Sequence, residues 1–138
     1  MSMLVHATCV AIGGRAVLIT GESGAGKSDL ALRLIDRGAV LVSDDQVALS
    51  VSGSVLRAAA PERIAGKIEV RGIGIVSMAH QSDVPLALLI ALGAPPRMPE
   101  AGNRELCGQT LPCAIVDPRE PSAPIKVELA LERWGLHR

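Results

Sequence analysis

The chain has 138 residues, of which 49% are hydrophobic, and its 14 Lys plus Arg match its 14 Asp plus Glu. That length supports one buried core and is short for two, so a single domain over 1–138 is expected, without a preceding N-terminal regulatory domain. The balanced charge provides no global field toward nucleic acid or an anionic membrane, and the absence of Phe and Tyr removes the usual base-stacking platforms.

With Trp134 as the lone member of the Phe, Tyr and Trp set, Val, Ile, Leu and Ala must fill the core, a mixture that favours alternating strands and helices. Cys9, Cys107 and Cys113 are odd in number and lack metal-type spacing, and no signal peptide precedes them. They read as reduced thiols packed as small hydrophobes, in a cytoplasmic protein. The longest apolar run, Leu86–Leu92, is too short to span a bilayer as a helix.

In chain order, Leu4–Ile12 and Ala16–Thr20 are apolar runs about Gly13-Gly14 and predict a hairpin. From Lys27 the period becomes helical: Leu30, Ala31, Leu34 and Ile35 share a face, Asp29 and Arg33 pair on another, and Gly38 is a stop. Ala39–Val42 predicts a buried parallel strand ending in Ser43-Asp44-Asp45, and Val47–Val51 with Val55–Ala59 a surface hairpin. Pro61–Val76 reads as a loop with a short element, Val84–Leu92 as a central strand, and Pro95–Pro112 as an irregular loop. Ala114–Val116 then predicts a last strand and Pro124–Trp134 a C-terminal helix.

Between the second strand and the first helix, Gly21-Glu22-Ser23-Gly24-Ala25-Gly26-Lys27-Ser28 matches G-x-x-x-x-G-K-S in full. Its glycines permit backbone N–H groups to form an anion nest at a helix start, with Lys27 reaching β- and γ-phosphates and Ser28 reaching Mg²⁺. Asp44 and Asp45 end the next strand, where a metal-holding or base carboxylate belongs. On a straight strand neighbouring side chains diverge, so one acid faces the site and the other orients a neighbour. Read alone, His6 is a packed or surface histidine, Glu69 and Arg71 are as consistent with a solvated edge as with a site, and His80 and His137 are solvated.

Val5-His6, "LITGESGAGKSDLALRLIDRG", "LVSDD" and "IEVRGIGIV" together resemble the catalytic domain of bacterial HPr kinase/phosphorylase, in a short alphaproteobacterial-type form. The resemblance covers roughly Leu4–Ser77. It implies an α/β fold with a phosphate loop and a mixed sheet flanked by helices, akin to phosphoenolpyruvate carboxykinase. It also implies a serine kinase that moves the γ-phosphoryl of ATP, or a phosphoryl of pyrophosphate, to an HPr-type phosphocarrier of the sugar phosphotransferase system, and a reverse reaction with inorganic phosphate. Full-length members form hexamers, which leaves a homo-oligomer open.

By the same resemblance, Lys27 holds the transferred phosphate, Ser28 and Glu69 attend Mg²⁺, Asp45 is the general base beside Asp44, and His6 acts on its charge or proton. The family arginine that follows the central strand falls on Arg97, with Arg104 second. The sequence departs from the family where "VDPREPSAPIKVELAL" replaces a P-V-R-P-G-R-N-type segment tied to phosphorolysis and partner contact. Two alternatives stand beside this reading: a phosphate-loop kinase for a small molecule, which requires a closed lid, and a nucleotide-sensing module without turnover.

Overall fold

Period-two alternation decides which strands are central. In β3 (Arg15–Thr20), Val17 and Ile19 enter one buried cluster and Ala16 and Leu18 the other, so both faces of the strand are covered. β9 (Val84–Leu92) is likewise covered on both faces, with Leu88 and Ile90 in one cluster and Leu86 and Leu89 in the other, the alternation being offset by a register shift against β3 between Leu86 and Leu88. The computed structural model describes residues 2–100 and 102–137.

The first apolar run forms two strands, β1 (Ser2–Val5) and β2 (Thr8–Ile12), separated by His6-Ala7. β2 and β3 form the expected hairpin about Gly13-Gly14. Helix α1 (Lys27–Asp36) lays Leu30, Ala31 and Leu34 against the sheet, each buried Leu contributing about 1.5–3 kcal/mol. β4 (Val40–Ser43) pairs antiparallel with β2, which corrects the expected parallel neighbour. Because β2 also runs antiparallel to β3, β4 and β3 point the same way, and the carboxyl end of β4 reaches the edge where the phosphate loop begins.

β5 (Val47–Ser52) and β6 (Val55–Ala59) form the second expected hairpin, with β1 on its far side and β6 joining the start of β9. Pro61–Val76 carries more structure than expected: a 3₁₀ turn at Glu62–Ile64, then a separate two-stranded sheet of β7 (Lys67–Val70) and β8 (Gly74–Ser77). Part of the segment expected to be irregular is also ordered, as β10 (Gly102–Leu106) pairs with β11 (Gln109–Val116). Pro112 is tolerated because β11 faces β10 alone there, and its parallel pairing with β9 begins at Cys113.

Helix α2 (Ala123–Trp134) matches the expected C-terminal helix. The main sheet runs β1-β5-β6-β9-β3-β2-β4, with β11 on β9 and β10 outside it. α1 through Leu30, Ala31 and Leu34 and α2 through Val127, Ala130 and Leu131 cover one face, while the other face closes on residues of β5 and β6 such as Leu49 and Leu56. The architecture is the expected mixed sheet with flanking helices. No helix among the described residues is long and apolar enough to cross a membrane.

Of the three cysteines only Cys9 is fully buried, and burial pushes its thiol well above the usual range. Cys107 and Cys113 are half-buried, because they lie on the β10–β11 hairpin and not in the layered core as expected. Two substitutions test the layering. Leu88→Ala, in the fully buried part of β9, should lower stability by about 2–5 kcal/mol in urea titration, whereas Met98→Ala at a position 86% exposed should change it by less than about 0.5 kcal/mol.

Candidate active site

β3 and β4 end at the same edge of the sheet, and the antiparallel β2 starts there, so Thr20, Ser43 and Thr8 deliver the loops that follow or precede them to one place. The segment after β3 turns through Gly24 and Gly26, whose φ angles of 81° and 103° suit glycine and aim backbone N–H groups inward at the start of α1. Lys27 is buried, and its ammonium donates to the Gly21 and Glu22 carbonyls at 2.8 and 3.0 Å. Two of its three N–H groups are thereby anchored at the base of the loop, and one remains.

Asp44 lies 6% exposed at the centre of this edge. Its Oδ1 accepts from Thr8 Oγ1 at 3.0 Å and from Ser28 Oγ at 2.6 Å, and its Oδ2 accepts from the Glu69 backbone N–H at 3.0 Å. One carboxylate therefore ties β2, α1 and the β7–β8 hairpin together. Charge-assisted bonds of this kind offset the desolvation that would otherwise exclude a carboxylate from such a site.

Asp45 does the opposite. Its φ of 72° lies in the left-handed region, which Asp tolerates better than most residues, and the turn sends its side chain away from that of Asp44. The carboxylate is 73% exposed and meets His6 Nε2 at 3.0 Å. Asp45 thus lines the cleft while Asp44 lies buried beside it.

These groups surround an open cleft of about 1070 Å³. Ser23–Ser28 form its floor, His6, Thr8 and Asp45 one flank, Glu69–Gly74 a second, and Pro118-Arg119 a third. The structure thus assembles His6, Lys27, Ser28, Asp45 and Glu69 about one cavity, with Asp44 immediately behind and Gly21 and Glu22 at the base of the loop. Arg97 is exposed on the segment after β9, and Arg104 is exposed on β10; neither lines the cleft. The arginines that do are Arg33, Arg71 and Arg119.

Thr8 and Arg119 are the residues that pattern reading passed over. Thr8 looks like one more β-branched core residue, and only its position two after His6, on the same face of the chain, marks it. Arg119 is held by Asp117 through Nε and Nη2 at 3.1 and 3.0 Å, and the Asp117 Oδ1 also accepts from the Arg119 backbone N–H at 3.0 Å. The spacing D-x-R following a strand was the available signal.

The residues fit a divalent cation of the Mg²⁺ type. Among the described residues no three His, Cys, Asp or Glu side chains converge as a closed protein cage. Mg²⁺, however, takes one or two carboxylates and fills its shell with water and phosphate oxygens, and the Ser28 hydroxyl and Asp44 carboxylate, 2.6 Å apart at the loop, are such a donor pair.

Residues 1–82 match the model of the HPr Serine kinase C-terminal domain. The chain is 46% identical over 76 residues to an HPr kinase/phosphorylase of Clostridium botulinum, covering 55% of this chain and 25% of that protein. It is 50% identical over 76 residues to one of Caldicellulosiruptor bescii, covering 54% and 24%. The chain therefore spans about a quarter of the length of these relatives. A solved structure, described as the Hpr(Ser) kinase/phosphatase from Coxiella burnetii, superposes with a TM-score of 0.83 at 30% identity, covering 94% of both chains.

Two measurements follow. Thr8→Val keeps the side-chain shape but removes a donor from a buried carboxylate, and should cost about 1.5–3 kcal/mol in urea titration. The Arg119 guanidinium, and then its backbone N–H, hold the Asp117 carboxyl below the usual range. A depressed carboxylate favours the folded pairing above its ordinary pKa and loses that contribution as pH falls through the lowered one. A carboxyl NMR titration should place the Asp117 midpoint below that of an ordinary Asp, and Arg119→Ala, which keeps the backbone donor, should raise it part of the way.

Proposed function

Since the chain belongs to the HPr serine kinase C-terminal domain family, we propose that it transfers the γ-phosphoryl group of ATP to a serine of an HPr-type phosphocarrier. The observation that carries this reading is the pairing of an exposed, histidine-bonded Asp45 with a phosphate loop across an open cleft. A protein side chain can enter that cleft without a lid. This favours a macromolecular acceptor over the small-molecule kinase, which needs its acceptor enclosed.

In the proposed reaction the loop N–H groups and the Lys27 ammonium neutralise the phosphate oxygens and fix the donor in line. The serine hydroxyl enters on the Asp45 flank. Asp45 takes its proton as the seryl oxygen bonds to phosphorus and the bond to the β–γ bridging oxygen breaks, releasing ADP. His6, bonded to Asp45 through Nε2, steadies the carboxylate before the transfer and can share the proton afterwards.

Ser28, Asp44 and Glu69 are the residues that would attend Mg²⁺, which when bound supplies further charge neutralisation at the β- and γ-phosphates. Run in reverse, Asp45 returns the proton to the serine as inorganic phosphate attacks the phosphoserine and leaves as pyrophosphate.

The test is incubation with Mg-ATP and an HPr-type carrier, with the added phosphate located by mass spectrometry. Phosphoserine on the carrier is expected; ATP binding with an unmodified carrier would refute the kinase reading and favour the sensing module. Asp45→Asn should lower the transfer rate by about 10²–10⁴-fold. It should change ATP affinity by less than about threefold, a value below 0.7 kcal/mol. Lys27→Ala should lose both.

A further inference from the structure

We infer that Pro118-Arg119 forms the nucleoside subsite of the phosphoryl donor, with the Arg119 guanidinium as the platform for the base. The inference rests on the reading that the loop holds a nucleoside triphosphate, and adds the direction in which that donor lies.

Strand order supplies the direction. Parallel strands β3, β9 and β11 end at the same edge, and β4, bearing the acid pair, lies on the opposite side of β3 from β11. The loop that follows β3 is therefore flanked by Asp45 on one side and by Asp117–Arg119 on the other. In-line transfer places the acceptor opposite the leaving β-phosphate, so a donor whose γ-phosphate faces Asp45 sends its nucleoside away from that flank. β11 is two strand spacings from β3, roughly 10 Å. The ends of parallel strands are also where such sheets take nucleotides.

The segment is built to stay there. Pro118 lies 3.6 Å from the position a Cβ on Gly26 would occupy, directly against the loop. Arg33 of α1 donates to the Pro118 carbonyl at 2.7 Å and reaches the Glu120 carbonyl at 3.4 Å, and this locks the turn to the same helix that opens at the loop. Asp117 then grips Arg119 on two guanidinium nitrogens, which fixes the plane of a side chain that is still 85% exposed.

Composition removes the usual competitor. The chain has no Phe or Tyr, and Trp134 packs against the core on α2, so the one aromatic side chain lining the cleft among the described residues is the His6 imidazole, which is bonded to Asp45 on the other flank. On the Asp117–Arg119 flank the Arg119 guanidinium, planar, weakly hydrated and able to stack on π faces, offers a flat surface with the Pro118 ring beside it. Arg33, by contrast, is tied to backbone carbonyls and Asp29, and Arg71 stands on the Glu69–Gly74 flank.

The test compares Mg-ATP with Mg-tripolyphosphate by calorimetry, in the absence of any acceptor. Arg119→Ala should weaken ATP by about 5- to 150-fold, the range of one base-stacking contact, and leave tripolyphosphate within about twofold. Arg119→Lys should not restore ATP, because an ammonium has no plane, and Asp117→Asn should give an intermediate loss. Equal weakening of both ligands would make Arg119 a phosphate contact and overturn the inference, as would no weakening of either. Lys27→Ala, which should abolish both ligands, reports separately on the loop: if it changes neither, the donor reading itself fails.

Discussion

The Asp44 carboxylate is the constraint on which the rest of the site depends. It is buried at the meeting of a strand, a helix and a hairpin, and accepts one hydrogen bond from each: Thr8 on β2, Ser28 on α1 and the Glu69 backbone on β7. Remove it and three donors lose their acceptor, with that of Thr8 left in a buried position. Held in place, it brings the Ser28 hydroxyl to the loop and the Glu69 side chain to the cleft wall. The neighbouring residue is then free to do something else.

That freedom has a backbone cause. A left-handed turn at Asp45 breaks the alternation that would otherwise point adjacent acids to opposite faces of a strand, and sets one inward and one into the cleft. Inward, the charge accepts three hydrogen bonds; outward, it is exposed and bonded to the His6 imidazole at 3.0 Å. The first arrangement suits holding and the second suits moving a proton. The His6-Ala7 break between β1 and β2 serves both, because it lets His6 reach Asp45 while Thr8 begins β2 pointing at Asp44.

Much of this was legible in residue pattern, and the misses have physical reasons. The loop and α1 declare themselves because glycines, a lysine and a 3.6-residue period are local properties, and β3 and β9 because apolar runs need burial on both faces. β10 was invisible: "GNREL" lies at an open edge, mostly exposed, and carries no alternation to read. β7 and β8 were hidden likewise, in a small sheet whose Ile73 and Ile75 stay exposed. For the site, the acid pair was marked by its place at a strand end, but His6 and Glu69 gained meaning only from resemblance, since their meeting with Asp45 is a matter of strand order. Arg97, carried over by the resemblance, lies on the exposed segment after β9 and is not among the residues that line the cleft, where Arg33, Arg71 and Arg119 stand.

The most direct check is to compare Asp44→Asn with Asp45→Asn by thermal unfolding and by Mg²⁺-dependent ATP binding. If Asp44 holds the site and Asp45 reacts in it, Asp44→Asn lowers the Tm and weakens binding, while Asp45→Asn leaves both near the parent values. Equal losses in the two variants, or a larger loss for Asp45→Asn, would contradict that division of labour.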